Sequence, residues 1–291
     1  MIHRGNIGYV LAFASAAAGA LRYNLAVFAN ESAGFDYVQF LVYALAIGLV
    51  ASGIHVGVKD GWRGFMPLRG RFHHALLYGI LMGWSTLAHF LALEHLNETT
   101  MTSLAQLGIL FSLGLAAWLL NERLNRREWI GAIIIFGGMF LFKPWEAGNR
   151  TGFAILMSGV LAGTLASTGA KVWVRGTTPR VLMVWRNLVA LMLVYAFSLG
   201  RARPEFTPGI VIAVVATGIL GPYLHGLFFL MALKHIAASR ASLMGRVQPV
   251  IVFLISLVFL GRIPAGKEIA SAVLLTLGTF WLIRSRPAAR T

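Results

Sequence analysis

Ala92-Leu93-Glu94-His95-Leu96 and, 140 residues later, Ala232-Leu233-Lys234-His235-Ile236 decide how this chain is read. Each stands between two long apolar runs. The register then continues without a gap: Glu128 lies over Glu268, Ala132 over Ala272, Gly138 over Gly278 and Phe140 over Phe280. Identities are few, but apolar runs and short connectors coincide throughout, which marks an internal repeat. The differences are as informative as the matches. Glu94 and Glu98 of the first connector become Lys234 and Ala238, and Thr100 becomes Arg240. In the next connector the trend reverses, with Arg123 and Arg126 becoming Ile263 and Gly266. Cytoplasmic loops collect Lys and Arg, so two copies of opposite orientation are expected to alternate in this way.

Composition points to the same class. Of 291 residues, 58% are hydrophobic and only 12% are charged, far less charge than a soluble surface needs. Apolar stretches of membrane-spanning length recur from end to end. The net charge of +15 would suggest nucleic acid in a soluble protein. Here it sits in short loops, where it sets topology and meets anionic headgroups, so no nucleic-acid partner is expected. There is no Cys, which excludes disulfides and thiolate chemistry. The apolar run from Ile7, behind His3 and Arg4, carries small residues at Ala16–Ala18 like a leader. It resumes through Leu25–Ala29, so it is read as the first span.

The pattern predicts ten transmembrane helices, near 6–28, 35–58, 73–93, 98–120, 128–145, 151–174, 179–200, 208–233, 237–260 and 266–284. The fold class is all-α integral membrane, built as two inverted five-helix repeats over residues 1–147 and 148–291. With the N-terminus in the cytoplasm, sixteen Lys and Arg fall on the cytoplasmic side, six outside, and Arg22, Arg186 and Arg246 within apolar runs. The bias puts both termini inside. Five helices per half is odd, so the second half must enter from the opposite face. Ser15-x-x-x-Gly19 and Gly159-x-x-x-Gly163 offer small faces for helix contact.

The A-L-x-H-[LI] turn before the fourth and ninth helices, Thr178-Pro179 followed by Arg186, and Asn121-Glu122-Arg123 after the fourth helix resemble the drug/metabolite transporter superfamily. The nearest branch is the EamA family. That resemblance implies a substrate path between the halves, lined by helices one, three, four, six, eight and nine, with five and ten at the back. Two departures stand out. Phe35 and Val42 occupy the places of the Pro and Arg of the seventh helix, and the ninth helix exits as Gly261-Arg262 without an acid.

Charge inside a bilayer is costly, so the three intramembrane arginines are functional candidates. Arg246 stands three residues before Pro249, which frees the carbonyl of Gly245, and it could hold a carboxylate in two parallel bonds. Gly221-Pro222 breaks the eighth helix and frees the carbonyl of Gly218, with Tyr223 and His225 following. His225 is a proton carrier or a buried histidine satisfied by a neighbour. On the third helix Tyr78, Trp84, Ser85 and His89 offer an aromatic wall and a polar face, or ordinary packing. Gln106 serves substrate or helix contact. Arg22, Arg186, Pro222, Pro249, Gly218 and Gly245 are assigned to gating or structure. All Asp and Glu fall in loops or at helix ends. No ATP-binding loop, metal-ligand set or catalytic triad is readable.

The expected function is therefore a secondary carrier of the bacterial inner membrane, without cofactor or metal, acting as monomer or homodimer. It would export a small metabolite, most plausibly amino acids or related compounds, by alternating access. Uptake of an anionic or nucleotide-like metabolite is the alternative. A membrane enzyme or a structural subunit is more distant.

Overall fold

Helix starts are written into the connectors. Asp36 caps α2 (Tyr37–Asp60), its carboxylate accepting from the amides of Val38 and Gln39 at 2.9 Å each. Asn97 caps α4 (Glu98–Leu104) through the amide of Thr100 at 2.7 Å. Thr178-Pro179 and Thr207-Pro208 repeat one device at α8 (Pro179–Ser198) and α9 (Pro208–Gly218). A threonine hydroxyl caps, and proline fills the first turn, where no amide partner exists anyway. Gly34, at φ +63°, ends α1 (Arg4–Ala33), the left-handed turn that glycine takes at least strain.

The structure, a computed structural model, describes residues 4–61, 65, 72–119, 126–141, 147–173, 178–201, 205–236, 241, 244–245, 247–259, 261 and 266–285. The remaining helices are α3 (Phe72–Ala92), α5 (Gly108–Leu119), α6 (Arg126–Leu141), α7 (Ala147–Trp173), α10 (Gly226–Ala232), α11 (Gln248–Phe259) and α12 (Gly266–Ser285). Two predicted helices are broken. A 3-10 turn at Ala105–Leu107 separates α4 from α5, and a π turn at Ile219–His225 separates α9 from α10. The first part of the predicted ninth helix lies largely outside the described residues.

Every element among the described residues is helical. Six stretches are long and apolar enough to cross a membrane: Ile7–Ala33, Tyr37–Asp60, Phe72–Ala92, Asn149–Ala170, Pro179–Ser198 and Pro208–Ala232. Trp129–Leu141, Gln248–Val258 and Ile269–Gly278 are apolar but shorter. Large apolar side chains such as Val10, Ile133, Met192 and Val258 point outward. They suit lipid, where helices satisfy their own backbone groups.

Glycines set the helix contacts. A Cβ on Gly8 would lie 3.0 Å from His235 Cβ and 2.6 Å from Ile236, and one on Gly152 would lie 2.6 Å from His95 Cβ and 3.0 Å from Leu96. Gly138 approaches Leu274 and Leu275, while Gly278 approaches Ile134 and Ile135. Contacts thus come in related pairs, one between α1 and α10 for each between α7 and α3. They hold α6 against α12, α2 against α9, and α3 against α7 and α8. In lipid this close backbone approach supplies the dispersion energy that burial supplies in water.

Candidate functional site: a cavity lined by two arginines

The break between α9 and α10 brings a backbone carbonyl to a side-chain donor. In the π turn the amide of Gly226 turns back to Tyr223 O. The Pro222 carbonyl accepts from Arg186 Nη2. Arg186, only 6% exposed, also binds Asn187 Oδ1 through Nε at 3.1 Å and Nη2 at 2.8 Å. Asn187 Nδ2 in turn donates to Gly48 O at 3.2 Å and reaches Ser52 Oγ at 3.4 Å. Buried Tyr78 hydrogen-bonds Arg186 from α3. Arg186 is thus held by α2, α3, α8 and the π turn together.

Beside it opens a cavity of about 10 Å³, room for roughly one water. Arg22 enters from α1, Arg186 from α8, Thr86 from α3, and Thr217 and Pro222 from the broken helix. Leu41, Leu45, Met82, Phe90 and Ala190 make the apolar wall. No Asp or Glu lines it among the described residues. The Arg22 guanidinium lies 4.4 Å over the Tyr23 ring, and its Nη2 donates to the Tyr23 hydroxyl. Two buried atoms on this cavity's lining residues have no hydrogen-bond partner among the described residues: Arg22 Nε and Thr217 Oγ1.

Of the residues singled out from sequence, Arg22, Arg186 and Pro222 line this cavity, three of the six assigned to gating or structure. The others sit around it. His225 Nδ1 lies 2.8 Å from Ser15 O and 3.1 Å from Ser15 Oγ, joining the π turn to α1. His89 Nδ1 turns to its own helix at Ser85 O, 2.6 Å, and its ring stacks on Tyr23 at 6.1 Å. Ser85 packs under Gly163, and Trp84 Nε1 reaches Ser158 Oγ at 3.2 Å. Gln106 Nε2 reaches Thr276 Oγ1 at 3.3 Å, and the Tyr223 hydroxyl meets His55 Nδ1 at 2.7 Å. Gly218 is explained by packing, since a Cβ there would meet Ile47 at 2.7 Å. Pro249 is buried on α11 and Gly245 half-buried before it. Arg246 lies outside the described residues. Sequence reasoning missed Thr217 and Asn187. Thr217 is a polar residue in an apolar run five positions before a proline, and that spacing was the available signal.

The model of the EamA-like transporter family matches this chain twice, at residues 6–143 and 150–284. The chain belongs to the EamA-like transporter family. "Uncharacterized transporter YdfC" of Bacillus subtilis (strain 168) is 24% identical over 285 residues, covering 83% of this chain and 89% of that protein. "Spermidine export protein MdtI" of Shigella dysenteriae serotype 1 (strain Sd197) is 30% identical over 118 residues, 38% of this chain and 97% of that protein. A solved structure titled "Crystal structure of protein" shares the fold, with TM-score 0.68 at 19% identity, over 94% of this chain and 95% of that one. Family and relatives indicate a multi-pass membrane transporter rather than an enzyme.

Two ion clusters tie the ends of the bundle in this EamA-like chain. Arg201 Nη1 bonds Asp36 Oδ2 at 2.6 Å and Glu94 Oε1 at 2.8 Å, linking the connectors after α1, α3 and α8. Burial opposes its charge, but the bonds to Glu94 and Asp36 outweigh that and hold Arg201 above its ordinary pKa. At the other end Arg180 grips Asp60 through Nε and Nη2, 2.8 Å each. These pairs are partly exposed, so each contributes about 0–1 kcal/mol. Glu98 begins a helix, as read from sequence, and is 1% exposed. Ser256 Oγ sits 2.8 Å from Glu98 Oε1 and 2.7 Å from Asn24 Oδ1.

Proposed function

We propose that the chain is a secondary carrier of the bacterial inner membrane. It exports a small metabolite, an amino acid or related compound, by alternating access around the arginine-lined cavity. The observation that carries this reading is that cavity, placed at a broken helix where α1, α2, α3 and α8 converge. Broken helices at membrane depth line binding sites in carriers, because their free backbone groups need partners. The same two arginines favour uptake of an anionic metabolite as the second reading.

Ten membrane crossings in two inverted halves, 1–147 and 148–291, belong to this proposal. Helix directions support it. Along α1, contacts run from Gly8 to Gly19 to Arg22 as those of the facing chain fall from Ile236 to His225 to Gly221. Along α7, they run from Gly152 to Gly159 to Gly163 as those of α3 fall from Leu96 to Ala88 to Ser85. Both pairs are antiparallel. With successive spans alternating, α3 runs with α1, and α7, which opens the second half, runs against both.

Orientation is tested in the natural Cys-free background. Glu94 and Lys234, at equivalent places in the two repeats, are both exposed. Glu94→Cys is expected to react with a membrane-impermeant thiol reagent in intact cells, and Lys234→Cys only after the membrane is opened. Equal labelling of the two would sink the inverted arrangement. Transport itself is tested by counterflow of amino acids in liposomes holding only this protein; absence of flux would overturn the carrier reading.

A further inference from the structure

We propose that Arg22 and Thr217 are the anchor for a carboxylate on the transported molecule, so that the cavity selects amphipathic carboxylates, amino acids included, over amines that lack a carboxylate. This rests on the carrier reading above. Arg22 Nε and Thr217 Oγ1 are both buried, and both lack a hydrogen-bond partner among the described residues. They belong to two residues that line one cavity from different helices. Thr217 is fully buried. Leaving such groups unpaired is costly, and one acceptor placed between them relieves both.

The sign of that acceptor follows from the charges. Arg22 and Arg186 line the cavity and no acid does, among the described residues. Arg186 already makes three hydrogen bonds to two oxygens, whereas Arg22 keeps an N–H to give. An anion is attracted by both, and the strength of charge-assisted hydrogen bonds rises away from water. An amine without a carboxylate of its own would bring its ammonium to two guanidiniums with no counter-charge. The remaining wall is hydrocarbon: Leu41, Leu45, Met82 and Phe90. It suits an apolar body. The present volume takes about one water, so a carboxylate and its body both require the halves to part.

A free anion such as chloride shares the head-group chemistry, so the test separates the two sources. Proteoliposomes in sulfate buffer are assayed for counterflow of L-leucine and L-phenylalanine against isoamylamine, phenethylamine and spermidine. Wild type is expected to move the acids and not the amines. Arg22→Gln should raise the half-saturating concentration of the acids about 10- to 100-fold, the loss of one or two charge-assisted bonds. Arg22→Lys should recover only part of this, because it lacks the planar fork. Thr217→Val keeps shape and removes the hydroxyl. It should unfold no earlier than wild type without substrate, yet show weakened acid transport.

Amines moved as well as acids, or wild-type half-saturation in both Arg22→Gln and Thr217→Val, would overturn the carboxylate anchor while leaving the carrier intact. An Arg22-dependent rise in unfolding temperature with chloride but with neither amino acid would assign the site to an inorganic ion and overturn it too. A wild type that moves neither acids nor amines overturns the carrier reading and the anchor with it.

Discussion

Arg186→Leu is expected to lower the unfolding temperature of the purified protein sharply and to abolish transport. The guanidinium is buried, and two carbonyl oxygens, Asn187 Oδ1 and Pro222 O, depend on it. Stripping a buried acceptor of its donor costs about 1–3 kcal/mol each, so the loss is on the order of 3–5 kcal/mol after the coupled Asn187 network loosens. Leucine also removes the positive charge from the cavity. Arg186→Lys keeps the charge but cannot reach both oxygens in the same plane. It should fall between Leu and wild type in stability. The readout is thermal unfolding in detergent alongside counterflow. A Leu variant as stable as wild type would mean that the π turn does not need its arginine.

Gly83→Val should be as damaging by a different route. At this crossing of α3 with α8, a Cβ on residue 83 would sit 2.9 Å from the Cα of Ala190 and 3.2 Å from its Cβ. Backbone cannot rotate aside as a side chain can, so the helices must part. Overpacking costs roughly 1–3 kcal/mol, and more where nothing yields. Ala190 also lines the cavity, so transport should fail even in molecules that fold. Gly114 is the control. A Cβ there meets nothing within 4 Å, and Gly114→Ala in helix α5 should be neutral or stabilise by up to about 1 kcal/mol. If the two substitutions behave alike, close approach is not what residue 83 provides.

These two sites also mark what the sequence could and could not tell. Helix positions were legible because apolar runs and capping residues are local. Thr178-Pro179 and Thr207-Pro208 announce helix starts on their own. The special character of the eighth run was legible too, from Gly221-Pro222. Side-chain partners were not. Arg22 and Arg186 were set apart from the substrate residues because their depth along the helix was read without the facing of that helix. His225 and His89 looked available because sequence cannot show that each Nδ1 already meets a carbonyl. Glu98 is placed at a helix end by its sequence, which does not show that tertiary packing buries the first turn of α4. Thr217 carries no motif at all. Its interest arises only from a cavity that four helices enclose.

The π turn has a consequence for the resting state of a machine built from two opposed copies. Related contacts fall at a constant numerical offset after the break, as with Ser85 and His225 against Gly163 and Gly19. Before it, Gly79 against Val189 matches Gly218 against Ile47 one residue out of step. A π turn is where a helix absorbs one additional residue without rotating everything downstream by about 100°. The second half therefore carries a single inserted residue around Tyr223 that the first half lacks. On the inverted plan, identical halves would make inward-open and outward-open forms mirror exchanges of one another, equal in free energy. In the carrier proposed above, that inserted residue adds a difference of backbone to those of sequence, and would help set the side it faces when nothing is bound.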